Sequence, residues 1–421
     1  MTTLLKSATI IDTTSPFHKQ TKDILITDGI IVKIDDHISY ELECNTIELD
    51  DLTISSGWFD TSVSLGEPGY EERETIQHGL NVAAKSGFTA VAINPNTKPI
   101  TEHKAAIEFL INKANGYATD LFPIGALTQE SKGIEMAELF EMQQSGAIAF
   151  GDYKKPIAND NLLKIALLYA QNFDGLIMSF PKNKSIAGEG VANEGINSTL
   201  LGLKGIPSLA EEIQISRDLF LLEYTGGKLH IPTISSAKSV QLIKEAKEKG
   251  LDVSCSVSVH HLFLTDDELH DFDANKKVNP PLRTKEDRYA LIEGVKNGII
   301  DMITTDHNPI DIEHKKIEFS TAKDGTIGFE SAFGALNTIF DLETIQRCLS
   351  TLPRQRFGIE FNSIEEKNKA NLSLFSSKNE YNFTEKHILS TSKNSIFYNK
   401  VLKGTVYGSY NNNQLILANH E

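Results

Sequence analysis

ISSGWFDTSVSL at residues 54–65, ERETIQHGLNVAAK at 72–85 and FTAVAI at 88–93 decide the architecture. The outer two are short apolar runs rich in β-branched and aromatic residues, and the middle one repeats its apolar side chains at helical spacing. Strand, helix and strand in succession form the unit of a parallel sheet, because parallel neighbours need a crossover long enough to hold a helix. The alternation continues along the chain. Apolar runs stand at 121–127, 146–150, 175–180, 228–234, 251–257 and 301–305, and helical patterns at 102–115, 160–171, 209–224, 237–249 and 285–297 separate most of them. Eight such runs predict an α/β fold of TIM type, a (β/α)8 barrel whose functional site lies at the C-terminal ends of the strands.

The two ends of the chain have a different texture. Residues 4–11, 23–26 and 30–34 read as short strands with Asp28-Gly29 as a hairpin turn, and 371–375, 401–407 and 414–417 return to that pattern. The expectation is a small β-sandwich built from both termini, residues 1–52 and 365–421, around a barrel at 53–364; 421 residues suffice for both units. Lys+Arg of 41 against Asp+Glu of 57 gives a net charge of -16, which argues against nucleic acid and anionic membrane as partners. Cys44, Cys255 and Cys348 lie far apart with no CxxC pair, which argues against a disulfide framework or a cysteine zinc site. No run approaches the ~18 apolar residues that span a bilayer, and the N-terminus lacks a basic segment followed by an apolar one. A cytoplasmic location is expected.

The strand ends carry a series of motifs. They are Gly57-Trp58-Phe59-Asp60-Thr61-Ser62-Val63-Ser64-Leu65-Gly66-Glu67-Pro68-Gly69, Asn94-Pro95-Asn96-Thr97-Lys98-Pro99, Gly202-Leu203-Lys204-Gly205-Ile206-Pro207, His260-His261-Leu262-Phe263-Leu264-Thr265, Lys277-Val278-Asn279-Pro280-Pro281-Leu282-Arg283 and Thr305-Asp306-His307-Asn308-Pro309. In this order the chain resembles the bacterial class I dihydroorotases of the amidohydrolase superfamily, from about residue 50 to 330. The resemblance implies an amidohydrolase barrel that hydrolyses a cyclic amide. It also implies zinc, held by imidazoles and carboxylates, that polarises the amide carbonyl and generates hydroxide.

The sequence departs from that family where the metal would sit. The paired histidines of the family's first strand fall on Ser62 and Ser64, whose neutral hydroxyls are poor zinc ligands. The bridging carboxylate falls on Tyr153, with Asp152 as the neighbouring candidate, and the ligand histidines of strands five and six fall on Phe180 and Thr233, although His230 is kept. Only Asp306, the family's metal and general-base position, matches. One position in six does not hold a zinc pair, so no metal or other cofactor is expected. The family's arginine for the substrate carboxylate becomes Gly66, a late histidine becomes Ile310, and a Pro-Phe pair ahead of Gly325 becomes Lys323-Asp324. Asn96, Asn279 and Gly325 keep substrate-side positions. Tyr153, Phe180 and Ile310 would fill the volume that a metal site vacates.

The remaining signals are weaker. Twelve histidines supply no HxH or HExxH spacing, and the adjacent His260 and His261 would point to opposite faces of a strand and serve packing. Asp306 with His307 has the chemistry of a base, against a plainer structural reading of Asp306. Ser62 and Ser64 have no GxSxG elbow and are not read as nucleophiles. The leading expectation is a non-catalytic dihydroorotase-like protein of de novo pyrimidine biosynthesis. Resemblance to inactive subunits of that family implies a scaffold or regulatory partner of aspartate transcarbamoylase, itself a homo-oligomer. Two alternatives stand beside it: a cyclic-amide hydrolase with no metal or a mononuclear site around Asp306, Asp152 and His230, and a non-catalytic binder of a small pyrimidine precursor.

Overall fold

A computed structural model describes residues 2–40 and 43–418 of the chain. Eight parallel strands succeed one another around the centre: Trp58–Val63, Phe88–Ile93, Asp120–Gly125, Ala149–Phe150, Leu176–Met178, Lys228–Ile231, Val253–Ser258 and Met302–Thr304. The first and last meet through a parallel bridge between Val63 and His307, where Ser64 N donates to His307 O at 2.7 Å. The barrel predicted from the alternation is therefore present and all but closed.

Asp60 latches that seam. Its buried carboxylate accepts from the hydroxyls of Thr304 and Thr305, from Thr305 N at 3.2 Å and from Ser62 N at 3.3 Å. Burial nevertheless pushes Asp60 up to about 6, because these dipoles only partly replace lost hydration. Side chains pointing into the barrel, among them Phe59, Ala92, Ile124, Met178, Met302 and Phe357, fill it as a packed core.

The helices start where short polar side chains satisfy free backbone donors. Thr75 caps Ile76–Lys85, Asn159 caps Asp160–Ala170, Ser236 caps Ala237–Glu248, and Thr284 forms a capping box with Asp287 ahead of Lys285–Lys296. Helices at Leu139–Gln144 and Phe329–Leu336 complete the outer layer and had no counterpart in the sequence reading.

Both termini build a second, eight-stranded sheet. It curls until Ile30 bridges Lys369, just ahead of the strand Leu372–Asn382, so its halves enclose a core of Leu5, Ile10, Ile24, Ile54, Leu374 and Tyr410. The run 54–65 divides at Gly57. Thr53–Ser56 pairs with Thr2–Ile11 and Leu372–Asn382 in this sheet, and only Trp58–Val63 enters the barrel. Trp58 ties the two units together, stacking on Phe333 at 5.2 Å and packing on Phe375 of the terminal sheet at 5.3 Å. Among the described residues no helix is long and apolar enough to cross a membrane.

Candidate functional site

Asp306 follows the eighth strand with φ of 51°, and its side chain is 2% exposed. Lys154 Nζ lies 2.7 Å from its Oδ2, while Tyr153 OH and Ser62 Oγ each donate to its Oδ1 at 3.3 Å. From Ser62 the network runs outward. Asn94 Nδ2 donates to Ser62 Oγ at 3.1 Å and to Ser64 Oγ at 3.4 Å, and Ser64 Oγ donates to Asn96 Oδ1 at 3.0 Å. The strand ends thus bring Ser62, Ser64, Tyr153, Asn96 and Asp306 into one hydrogen-bonded cluster.

Lys154 and Asn94 were missed by the sequence reading. Lys154 follows Tyr153 directly, and a charge count would have found it: a buried carboxylate with no metal ligands around it needs a cation. Burial raises Asp306, opposed by Lys154, Tyr153 and Ser62. Burial would lower Lys154, but the Asp306 carboxylate outweighs that and holds it above the ordinary lysine value. The pair is an ammonium and a carboxylate in contact, the charge-assisted geometry expected of a fixed ion pair.

Tyr153, Thr233 and Asp306 all have left-handed backbone, with φ of 55°, 49° and 51°. Such conformations cost of order 1–3 kcal/mol each outside glycine and persist where the surroundings over-determine them. Phe180 and Thr233 wall the space beside Ser62, Asn94 and Lys154, leaving a cavity of about 10 Å³, room for about one water.

Other positions lie apart from the cluster. Asp152 turns away, accepting from Thr128 N at 3.0 Å and from the Thr128 hydroxyl. His230 sits within the barrel, 2.9 Å from Ser254 Oγ and 3.2 Å from Ser256 Oγ, with its ring against Phe357 at 5.9 Å. Asp306, Asp152 and His230 therefore do not assemble, which corrects the mononuclear site considered from the sequence. Asn279 faces Lys182, whose Nζ donates to its Oδ1 at 3.4 Å, in a second small cavity that shares Phe180 with the first. Gly325 has φ of 141°, and a Cβ there would lie 2.6 Å from Asn308 Nδ2. Ile310 is buried, its N–H bonded to Asn394 Oδ1 at 3.0 Å.

The position of the family's arginine is closed by main chain. A Cβ on Gly66 would lie 1.8 Å from Tyr70 O, within a loop held by Gly66 N donating to Glu74 O at 2.8 Å. Arg73 in that loop is spent on Asp311 at 3.1 Å and on the Tyr70 ring at 4.3 Å. His260 and His261 also differ from expectation: the seventh strand stops at Ser258 and both histidines ride the short helix Val259–Phe263. Their rings lie 4.7 Å apart around Ser258 Oγ, on one side of the chain rather than two. His307 stacks on Phe329 at 4.0 Å and accepts from Gly328 N at 3.2 Å; burial brings it down to about 3, so the ring is neutral.

A family model described as dihydro-orotase-like matches residues 52–239. The dihydroorotase of Ruminiclostridium cellulolyticum is 40% identical over 412 residues, 96% of either chain. The chain belongs to the dihydroorotase family. The dihydroorotase of Caldicellulosiruptor saccharolyticus is likewise 40% identical, over 96% of this chain and 95% of that one. Among solved structures, the L-hydantoinase (dihydropyrimidinase) from Arthrobacter aurescens superposes with a TM-score of 0.86 at 20% identity, covering 100% of this chain and 96% of that one. The D-hydantoinase (dihydropyrimidinase) from Thermus sp. gives 0.81 at 17%, over 99% and 95%. These establish the barrel fold with its accessory sheet.

The zinc that membership of the dihydroorotase family implies does not fit the residues present. Among the described residues no group of three or more His, Cys, Asp or Glu side chains is placed to hold a metal ion. Both oxygens of Asp306 already have donors, one of them a lysine ammonium that would repel a dication. A hydroxyl, a phenol and a protonated amine offer no set of zinc ligands in their place.

Proposed function

We propose that this member of the dihydroorotase family is non-catalytic and serves de novo pyrimidine biosynthesis in the cytoplasm as a scaffold or regulatory partner of an aspartate transcarbamoylase. The observation that carries the reading is the Lys154–Asp306 pair. Hydrolysis of a cyclic amide needs a polarised carbonyl and a nucleophilic water. Here the one retained acidic position is neutralised by a side-chain cation 2.7 Å away, so neither a metal-bound hydroxide nor a free carboxylate base is available there. Room for about one water beside the pair also speaks against a bound pyrimidine precursor. The partner is inferred from kinship with inactive subunits of the family.

Two measurements test this. Purified protein supplied with equimolar zinc should turn over dihydroorotate no faster than buffer, and zinc-dependent turnover that disappears in Asp306→Ala would overturn the reading. Mixed with the transcarbamoylase of the same cell, the chain should co-elute as a complex by light scattering. Separate elution at tens of micromolar would remove the scaffold role.

A further inference from the structure

The small cavity beside Asn279 lies where the loop after the fifth strand meets the segment that follows the seventh. Phe180 and Lys182 line it from the first, Asn279 and Arg283 from the second. Arg283 closes the motif that begins at Lys277, and it takes no part in the Asp306 cluster. It is 3% exposed. Its Nε donates to Ser235 Oγ at 3.1 Å, and its Nη1 donates to Asn193 Oδ1 at 2.8 Å and to Ile206 O at 2.7 Å. Among the described residues its Nη2 has no hydrogen-bond partner, yet that nitrogen is not sealed off, so it stands open to the cavity. A guanidinium this deep without an ion pair is unusual, because buried charges are ordinarily paired.

Lys182 is in the same situation. Among the described residues its ammonium has one hydrogen bond, the long one to Asn279 Oδ1 at 3.4 Å, and no ion pair. Burial lowers Lys182 from the ordinary lysine value; Asp324 opposes this, and the charges of Arg283, Lys154 and Lys184 add to it. Burial lowers Arg283 as well. The acid in the lining, Glu211, is already occupied. It accepts from Ser235 N at 2.8 Å, from Ser236 N at 3.1 Å, from Ser239 Oγ at 2.6 Å and from the Ser235 hydroxyl. What remains toward the cavity is a set of donors: Arg283 Nη2, Lys182 Nζ and the Asn279 amide nitrogen, which has no acceptor among the described residues.

We infer that this cavity is an anion site whose ligand is a free short-chain carboxylate. Lys182 and Arg283 set against Glu211 leave a single positive charge in the lining, which one carboxylate balances and a phosphate dianion exceeds. Donors without acceptors call for a ligand that only accepts, and charge-assisted hydrogen bonds from a guanidinium and an ammonium to a carboxylate are the strong ones. Size points the same way. A volume of about 10 Å³ admits the head of a carboxylate and excludes a pyrimidine ring, while Phe180, Ile206 and Pro281 offer apolar walls to a short hydrocarbon stem. The Lys154–Asp306 pair is untouched by such a ligand, since Phe180 is the side chain that the two cavities share.

The probes are sodium acetate and sodium propionate, added to the full chain in chloride-free buffer with the melting temperature as readout. The wild-type midpoint should rise saturably by at least about 3 °C, as mass action on a site in the folded state requires, whereas sodium chloride or phosphate at equal ionic strength should move it by less than about 1 °C. Lys182→Met should remove the response. Asn279→Asp places a carboxylate in the cavity covalently, so it should abolish the response and raise the melting temperature without any acid added; this variant keeps the test open even where Lys182→Met does not fold. No saturable rise in the wild type, an equal rise with chloride or phosphate, or a full response in Asn279→Asp would each overturn the inference. A capped Gly-Glu-Gly peptide that binds more tightly than propionate would assign the cavity to a partner's side chain and overturn the free acid as its ligand. None of these results depends on whether the chain hydrolyses dihydroorotate or binds a transcarbamoylase.

Discussion

Asp306 is a buried carboxylate, and its neighbours show what keeps it tolerable. Removing one member of a buried ion pair leaves the other uncompensated, which costs about 3–5 kcal/mol, while replacing both with apolar groups is often neutral. Lys154→Met should therefore lower urea stability by that amount, and Lys154→Met with Asp306→Leu should recover most of it. A single-variant loss below about 1 kcal/mol would show that the pair does not hold the site together. Thr233 is β-branched at φ of 49°, so Thr233→Gly should raise the urea midpoint, by about 1 kcal/mol of stability. Asp306 was legible in the sequence because its motif survives. Lys154 was not, because an ammonium is no metal ligand and its role, charge balance, becomes visible only once the Asp306 carboxylate is known to be buried.

Among the elements, four of the longer helices were readable to within a residue or so, since apolar spacing and capping side chains agree there, whereas Leu139–Gln144 and Phe329–Leu336 went unread. Ala237–Glu248 and Lys285–Lys296 begin where Ser236 and Thr284 announce them. Strand ends were harder. Both sides of Gly57 are buried, so the apolar run continues across a change of sheet, and only close packing marks the break: a Cβ on Gly57 would lie 1.8 Å from Asn371 Oδ1 and 2.1 Å from Thr89 Oγ1. His260 and His261 misled for a related reason, because alternation holds only while the strand lasts, and it ends at Ser258. The loop at Gly66 makes a testable case. Restoring the family's arginine with Gly66→Arg should not create dihydroorotate binding by calorimetry. Gly66→Ala should already cost about 1–3 kcal/mol, as overpacking against main chain does.

Over the whole molecule, buried histidines couple stability to pH. Burial holds His230, His261 and His307 down to about 3, against ~6.5 in an unfolded chain. The unfolded state takes up these protons first, so each neutral ring contributes stability that is present above ~6.5 and is lost as pH falls toward 3, at about 1.4 kcal/mol per pH unit. Carboxyls raised by burial, Asp60 to about 6 among them, act in the opposite sense lower in that window. The comparison that isolates one imidazole is wild type against His307→Asn. The stability difference between them should shrink with that slope between pH 6 and 4, and a pH-independent difference would contradict neutral burial of His307.

The positive charge opposite Asp306 is part of the polypeptide, made when the chain is made, and it can be neither stripped by a chelator nor displaced by a competing ion. Dialysis against EDTA should leave the melting temperature within about 1 °C, and added zinc should not raise it. The fold and its outer faces would then be present at the same strength in a zinc-starved cell as in a replete one.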